Sequence, residues 1–278
     1  LFKIQLMPSI KKHYKRITTN SLLEMKRNKE KIAMLTAYDY TFAQLVDASG
    51  IDIILVGDSA SNVIAGHETT LPITLDQMIY HASSVIRGVE RALVVVDLPF
   101  GTYQSNSKIA LQSAIKIMKQ SGAHSVKLEG GREVKESMER IIQAGIPVMG
   151  HLGLTPQSIY KFGTYSVRAK NDEEANKIID DAKMLEKIGC FGIVLEKIPA
   201  VLSEKIAKIV KIPVIGIGAG KDVDGQVLVL HDMLGMTQDF SPRFLRRYLN
   251  LKSEIINAIK KYTSDVKLLK FPNDSEQY

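Results

Sequence analysis

Six side chains of this sequence lie where apolar runs stop. The run at 53–56 leads to Gly57-Asp58-Ser59, that at 92–96 to Asp97, that at 146–150 to His151 and that at 191–195 to Glu196; the run at 125–129 itself carries Lys127 and Glu129. Two aspartates with a glutamate make a hard oxygen site, suited to Mg2+ with waters left for a ligand to displace. No closely spaced His or Cys pairs of the zinc type occur. A 2-oxo acid chelating such an ion through its keto and carboxylate oxygens would have acidic α-carbon protons, because the metal stabilises the enolate left by their loss. Lys127 could neutralise the carboxylate, His151 could donate to it or to the keto oxygen, and Glu196 would be free to act as base. Blander roles compete. Asp58 and Asp97 could merely cap helices, Lys127 and Glu129 could satisfy each other, His151 could be a packed structural histidine, and Glu196 could pair with Lys197 or Lys127.

Those runs must be strands for this chemistry to assemble. Ile53-Ile-Leu-Val56 is apolar throughout, as in a parallel strand buried on both faces. On 125–129, Lys127 and Glu129 are two residues apart and face the same side, which on an apolar strand indicates a polar cavity or a buried ion pair. Further strands are predicted at 32–37, 212–217 and 226–230, the last ending at His231-Asp232. Between them, helical spacing predicts helices at 42–50, 75–88 entered through Thr74, 108–120, 134–144, 173–188 and 200–209, with a short helix at 21–29 ahead of the first strand. Eight strands alternating with helices, without a linker or repeated fingerprint, favour one (β/α)8 barrel over the competing doubly wound sheet. Barrel closure would bring all six side chains to the C-terminal mouth. The polar stretch 157–171 reads as a lid, a binding loop or a surface excursion, and Gly216-Ile-Gly-Ala-Gly220 as a tight turn rather than a phosphate cradle. A basic amphipathic helix is predicted at 241–262, with an irregular tail after 267.

The totals bound the class. The chain has 278 residues, 45% hydrophobic and 24% charged, enough for a substantial core and ordinary for a globular protein. No apolar run reaches the length of a membrane span. The net charge of +7 is diffuse, with local basicity only at 11–16 and 243–247, which suits anionic small molecules at least as well as nucleic acid. The single cysteine, Cys190, excludes an intrachain disulfide and reads as a buried structural thiol. The opening Leu1 to Met7 is too short and too charged for a signal peptide, and Met7 offers a natural start. The domain expectation is an extension at 1–16, a barrel at 17–265 and a tail at 266–278.

Several ordered motifs carry a resemblance: Met34-Leu-Thr-Ala-Tyr-Asp-Tyr40, Val56-Gly-Asp-Ser59, Thr70-Leu-Pro72, Tyr80-His81, Asp97-Leu-Pro-Phe100, Val126-Lys-Leu-Glu-Gly130, Gly150-His-Leu-Gly-Leu-Thr-Pro156, Leu195-Glu196, Gly216-Ile-Gly-Ala-Gly220 and Asp224-Gly-Gln-Val-Leu228. From about residue 17 to 272 the chain closely resembles the ketopantoate hydroxymethyltransferase family. The resemblance implies a TIM barrel of the phosphoenolpyruvate/pyruvate type, a homodecamer of two pentameric rings and a cytoplasmic location. It implies Mg2+ on Asp58 and Asp97, with Glu129 contributing through water; the oxo acid on Asp58, Ser59, Asp97 and Lys127, with His151 close to it; and Glu196 as catalytic base. The implied reaction transfers a hydroxymethyl group from 5,10-methylenetetrahydrofolate to 3-methyl-2-oxobutanoate, giving 2-dehydropantoate and tetrahydrofolate in pantothenate biosynthesis. One departure stands beside the site: after Gly-Asp-Ser the family usually continues Leu-Gly-Met, whereas this chain has Ala60-Ser61-Asn62. Two other functions remain on sequence grounds: a metal-dependent lyase or mutase on the same barrel, and a catalytically inactive barrel serving in assembly or ligand binding.

Overall fold

The computed structural model describes residues 15–237 and 241–278. Most of the predicted extension at 1–16 and its basic cluster therefore lies outside the described residues. In chain order the elements are α1 (Thr19–Arg27), β1 (Ile32–Thr36), α2 (Tyr40–Ala48), β2 (Ile53–Val56), α3 (Ala60–Val63), α4 (Leu75–Gly88), β3 (Leu93–Asp97), α5 (Ser107–Ser121), β4 (Ser125–Glu129), α6 (Lys135–Gln143), β5 (Val148–Gly153), α7 (Ile159–Phe162), α8 (Asp172–Ile188), β6 (Gly192–Glu196), α9 (Ala200–Ile209), β7 (Val214–Ile217), β8 (Gly225–Leu228), α10 (Leu230–Met233) and α11 (Leu251–Lys267). The eight strands pair in sequence order, all parallel, and β8 closes on β1. The expected (β/α)8 barrel is therefore the fold.

Alternation along each strand divides the core into two layers. Ile53 and Leu55 of β2 point inward, with Met34, Leu93, Val95, Met149, Val194, Ile215 and Val227. Ile54 and Val56 point outward, against the surrounding helices. The N-terminal end of the barrel is plugged by α1, whose fully buried Leu22 joins the inner layer. Lys26 ties that helix down by donating to the carbonyls of Ala207 and Ile212 and pairing with Asp224 at 2.7 Å. The helices start as their sequences direct: Thr74 caps α4 in a box with Gln77, and Asp39 caps α2 by accepting from the Phe42 amide.

Four expectations need correction. The fifth strand runs Val148–Gly153, so His151 lies within it rather than beyond its tip; the pairing with β6 continues through His151↔Val194 to Gly153↔Glu196. Gly153 makes that approach possible, since its φ is +94° and a Cβ there would stand 2.3 Å from the Glu196 carbonyl oxygen. The eighth strand stops at Leu228, and His231-Asp232 falls in α10, because the Leu230 amide turns to donate to the Thr36 hydroxyl. The C-terminal helix begins at Leu251 rather than 241. The chain before it contains a turn and is tied to the end of α10 by backbone bonds from the Tyr248 amide to the Met233 carbonyl and from the Leu251 amide to the Leu234 carbonyl. The stretch 157–171 is not all loop: it is entered through a 3-10 turn at Pro156–Ser158 and contains α7.

Candidate active site

Strand register assembles the charged groups. Asp97 lies beside Lys127 on neighbouring strands, and Glu129 beside His151. Asp58 follows β2 by two residues, and its backbone amide donates to Asp97 Oδ2 at 3.1 Å. Asp58, Ser59, Asp97, Lys127, Glu129, His151 and Glu196 all line one cavity of about 430 Å3 at the C-terminal mouth. All seven predicted site residues are thus brought together, and five of them (Asp58, Asp97, Lys127, Glu129 and His151) are buried.

The competing readings can be weighed one by one. Asp58 caps no helix through its side chain; α3 has Ser59 at its N-cap with no side-chain bond. Lys127 pairs with Asp97 at 2.9 Å rather than with Glu129. Burial would lower the Lys127 pKa, but Asp97, Glu129 and Asp58 more than offset this and hold it above its ordinary value. Lys127 Nζ also lies 3.2 Å from His151 Nδ1. Burial, reinforced by the Lys127 charge, pushes the His151 pKa down, so the ring is neutral at pH 7. Nδ1 also lies 3.3 Å from Glu129 Oε1, and Nε2 stands 3.4 Å from Glu196 Oε2, so the ring bridges the two carboxylates. Among the described residues Glu196 pairs with no lysine.

The carboxylates outnumber their counter-charge. Asp58 is raised well above the ordinary range, by burial first and then by Asp97 and Glu129. Glu129 is raised to about 7, again chiefly by burial, against the lowering effect of Lys127 and of the Gln157 amide. Asp97 Oδ1 is buried with the Lys127 ion pair but no properly oriented hydrogen bond. One lysine beside three buried acids leaves a deficit of positive charge that a divalent cation would fill. Among the described residues, no three His, Cys, Asp or Glu side chains form a ready-made cage. The donor set fits a hard ion that takes two carboxylates and keeps several waters.

A model of the ketopantoate hydroxymethyltransferase family matches residues 16–274. The chain belongs to that family. Three relatives named 3-methyl-2-oxobutanoate hydroxymethyltransferase, from Flavobacterium johnsoniae, Christiangramia forsetii and Cytophaga hutchinsonii, are 74%, 71% and 67% identical, each over 98% of this chain and 100% of the relative. Among solved structures, phosphonopyruvate hydrolase in complex with oxalate and Mg++ aligns with a TM-score of 0.58 at 11% identity over 93% of each chain. A 2,3-dimethylmalate lyase of the PEP mutase/isocitrate lyase superfamily aligns at 0.58 and 12% identity, over 94% of this chain and 88% of that one. At such identities these two establish the fold alone.

Two residues outside the predicted set hold these carboxylates in place. Gln157 donates through Nε2 to Asp58 Oδ2 (2.9 Å) and to the Leu98 carbonyl, and its backbone amide donates to Glu129 Oε2 (2.9 Å). The buried Tyr103 hydroxyl accepts from the Glu129 amide and donates to Gln157 Oε1 at 2.7 Å. In the sequence Gln157 is only the first residue of a polar stretch, and Tyr103 an aromatic in a loop. No local signal separates either from a surface residue. Tyr38 supports the other side, its hydroxyl 2.8 Å from Ser59 Oγ.

The departure at Ala60-Ser61-Asn62 is accommodated. These residues form α3, Ser61 has no left-handed backbone that would require glycine, and its hydroxyl donates to the Thr69 carbonyl at 2.8 Å. Cys190 is buried and its thiol is pushed up to about 12 by burial, a structural group. Gly216 and Ile217 still belong to β7, and only Gly218–Gly220 bends away from it, with no helix following. No helix among the described residues is long and apolar enough to cross a membrane.

Proposed function

We propose that the cavity binds 3-methyl-2-oxobutanoate, removes its C3 proton and joins that carbon to the one-carbon unit of 5,10-methylenetetrahydrofolate. The family's activity is this hydroxymethyl transfer, in pantothenate biosynthesis. Asp58 and Asp97 would hold Mg2+, with Glu129 contributing through water; when bound, the ion draws electron density from the keto group and makes the adjacent C–H acidic. Support for an ion here comes from the excess of buried carboxylates over lysine. Lys127 and Ser59 bind the oxo-acid carboxylate, and neutral His151 stays beside it without adding charge. Glu196 takes the C3 proton. The electron pair left on C3 forms the new bond to the methylene carbon as one of its C–N bonds breaks; water supplies the hydroxyl oxygen as the other breaks, and the two folate nitrogens take up the C3 proton and one water proton, so that tetrahydrofolate leaves.

One observation carries the assignment of roles. Glu196 stands apart from the carboxylate cluster, across neutral His151, at 16% side-chain exposure. A base must be close to the substrate yet not consumed in binding the ion, and of the four acids at the ends of β2, β3, β4 and β6, Glu196 is the one outside the ion cluster. The test is exchange of the C3 proton of 3-methyl-2-oxobutanoate into deuterated water, with Mg2+ and without folate. Exchange should require the ion and fall about 10²- to 10⁴-fold in Glu196→Gln. A mutant exchanging as fast as the wild type would remove Glu196 from the role. Cleavage of a C4 dicarboxylate without any folate requirement would favour a lyase instead. A decameric assembly and cytoplasmic location belong to the same proposal; sedimentation of the purified protein tests the former.

A further inference from the structure

The charged groups used above come from β2 through β6, yet the cavity continues past them. Its remaining arc, beneath the ends of β7, β8 and β1, is walled by Ile217, Val227, Val229, Phe244 and Leu245. A small oxo acid alone would leave this apolar side of the cavity unfilled, and pockets built for larger ligands pair such walls with a few fixed polar groups. Among the described residues of that arc, one buried charged side chain lines the cavity: Asp232, in α10 just after β8. Nothing in the proton-transfer chemistry uses it.

We propose that Asp232 is the recognition residue for the pterin ring of the folate co-substrate, seated in the apolar arc. The inference rests on the hydroxymethyl-transfer reading of the same cavity. The edge of a pterin's aminopyrimidinone ring presents adjacent N–H donors, and a carboxylate accepts such a pair with its two oxygens. Its faces are flat and suit apolar walls with an aromatic ring, here Phe244. Asp232 is held for the task. The Thr237 hydroxyl donates to its Oδ1, and α10 anchors it through the Leu230 amide on Thr36. One donor does not saturate a carboxylate, which offers about four acceptor sites. Burial raises the Asp232 pKa, with Thr237 and Arg247 acting in the opposite direction. Tyr38 spans the two arcs: its hydroxyl meets Ser59, and the charges of both Asp232 and Asp58 act on it. A pterin on Asp232, just after β8, would thus lie two strands round the barrel from Glu196 on β6, and on the side where Tyr38 meets Ser59.

The test separates the two half-sites. With the Mg2+-loaded full chain, Asp232→Asn should raise KM for 5,10-methylenetetrahydrofolate about tenfold or more, while KM for the oxo acid and the folate-free C3 exchange rate stay near wild type. Tetrahydrofolate binding, read by calorimetry, should weaken in parallel. A folate lacking the pterin's exocyclic amino group should bind the wild type weakly and be discriminated against no further by the mutant. Thr237→Val, a milder change, should move folate KM in the same direction by less. Unchanged folate KM in Asp232→Asn would overturn the proposal, and so would loss of exchange in step with overall turnover, which would make Asp232 structural. Absence of exchange in the wild type would instead overturn the oxo-acid reading beneath it.

Discussion

The two arcs of the barrel mouth are built on opposite principles. From β2 to β6 the cavity wall is a buried charge network in which every group depends on its neighbours: Lys127 on Asp97, Asp58 on Gln157, Glu129 on Gln157 and Tyr103. From β7 through β8 to β1 the wall is apolar, with Asp232 as its buried charge. The first arc holds like charges close together at a cost in stability, a cost that the proposed cation would relieve. The second arc costs little and offers surface. The proposed reaction between a small charged acid and a large flat ring system would be served by this asymmetry, each partner meeting the wall that matches it.

The largest test of the comparison is Lys127→Met. Removing the one buried cation from the charged arc should destabilise the metal-free protein by about 3–5 kcal/mol, because three acids lose their counter-charge. Urea unfolding with chelator checks this, and Mg2+ should recover part of the loss. A mutant as stable as the wild type would mean that the arc is not a strained network. Next comes the pH dependence of the same arc. Glu129 is held up to about 7 against an ordinary 4.5, so between those values the folded protein keeps a proton that the unfolded chain has released. Metal-free stability should therefore fall as pH rises through that window, and Glu129→Gln should flatten the profile measured between about pH 5 and pH 8.

A smaller effect is expected at Tyr103→Phe, which leaves the Glu129 amide and Gln157 Oε1 each short of a partner. The cost should be about 1–3 kcal/mol in denaturant unfolding, with slower C3 exchange. Smallest is Phe244→Leu in the apolar arc. Losing the aromatic face should weaken tetrahydrofolate binding by about 0.5–1.5 kcal/mol and leave folate-free exchange unaltered. If Phe244→Leu slowed exchange as much as Tyr103→Phe, the division into two arcs would fail.

How far the sequence reached depended on the kind of signal. Apolar runs ending in acids located Asp58, Asp97, Glu129 and Glu196, and the two-residue spacing of Lys127 and Glu129 correctly gave both an inward face. Boundaries failed where a tertiary contact intervened. His151 was placed beyond a strand that in fact continues by pairing with β6, and Asp232 was placed on a strand end that Thr36 turns into a helix. The C-terminal helix was begun ten residues early, because its amphipathic pattern says nothing of the chain laid along α10.

Sequence by itself determined the barrel, the family and the acids at the ends of β2, β3, β4 and β6, because continuous apolar runs and fixed motifs are properties of neighbouring residues along the chain. Which charges meet was decided only by closure and register: Asp97 beside Lys127, Glu129 beside His151, and Gln157 reaching back across the mouth to Asp58. These contacts join residues up to 99 positions apart. Their energies arise from burial in a shared cavity, which no residue possesses until the eighth strand has closed on the first.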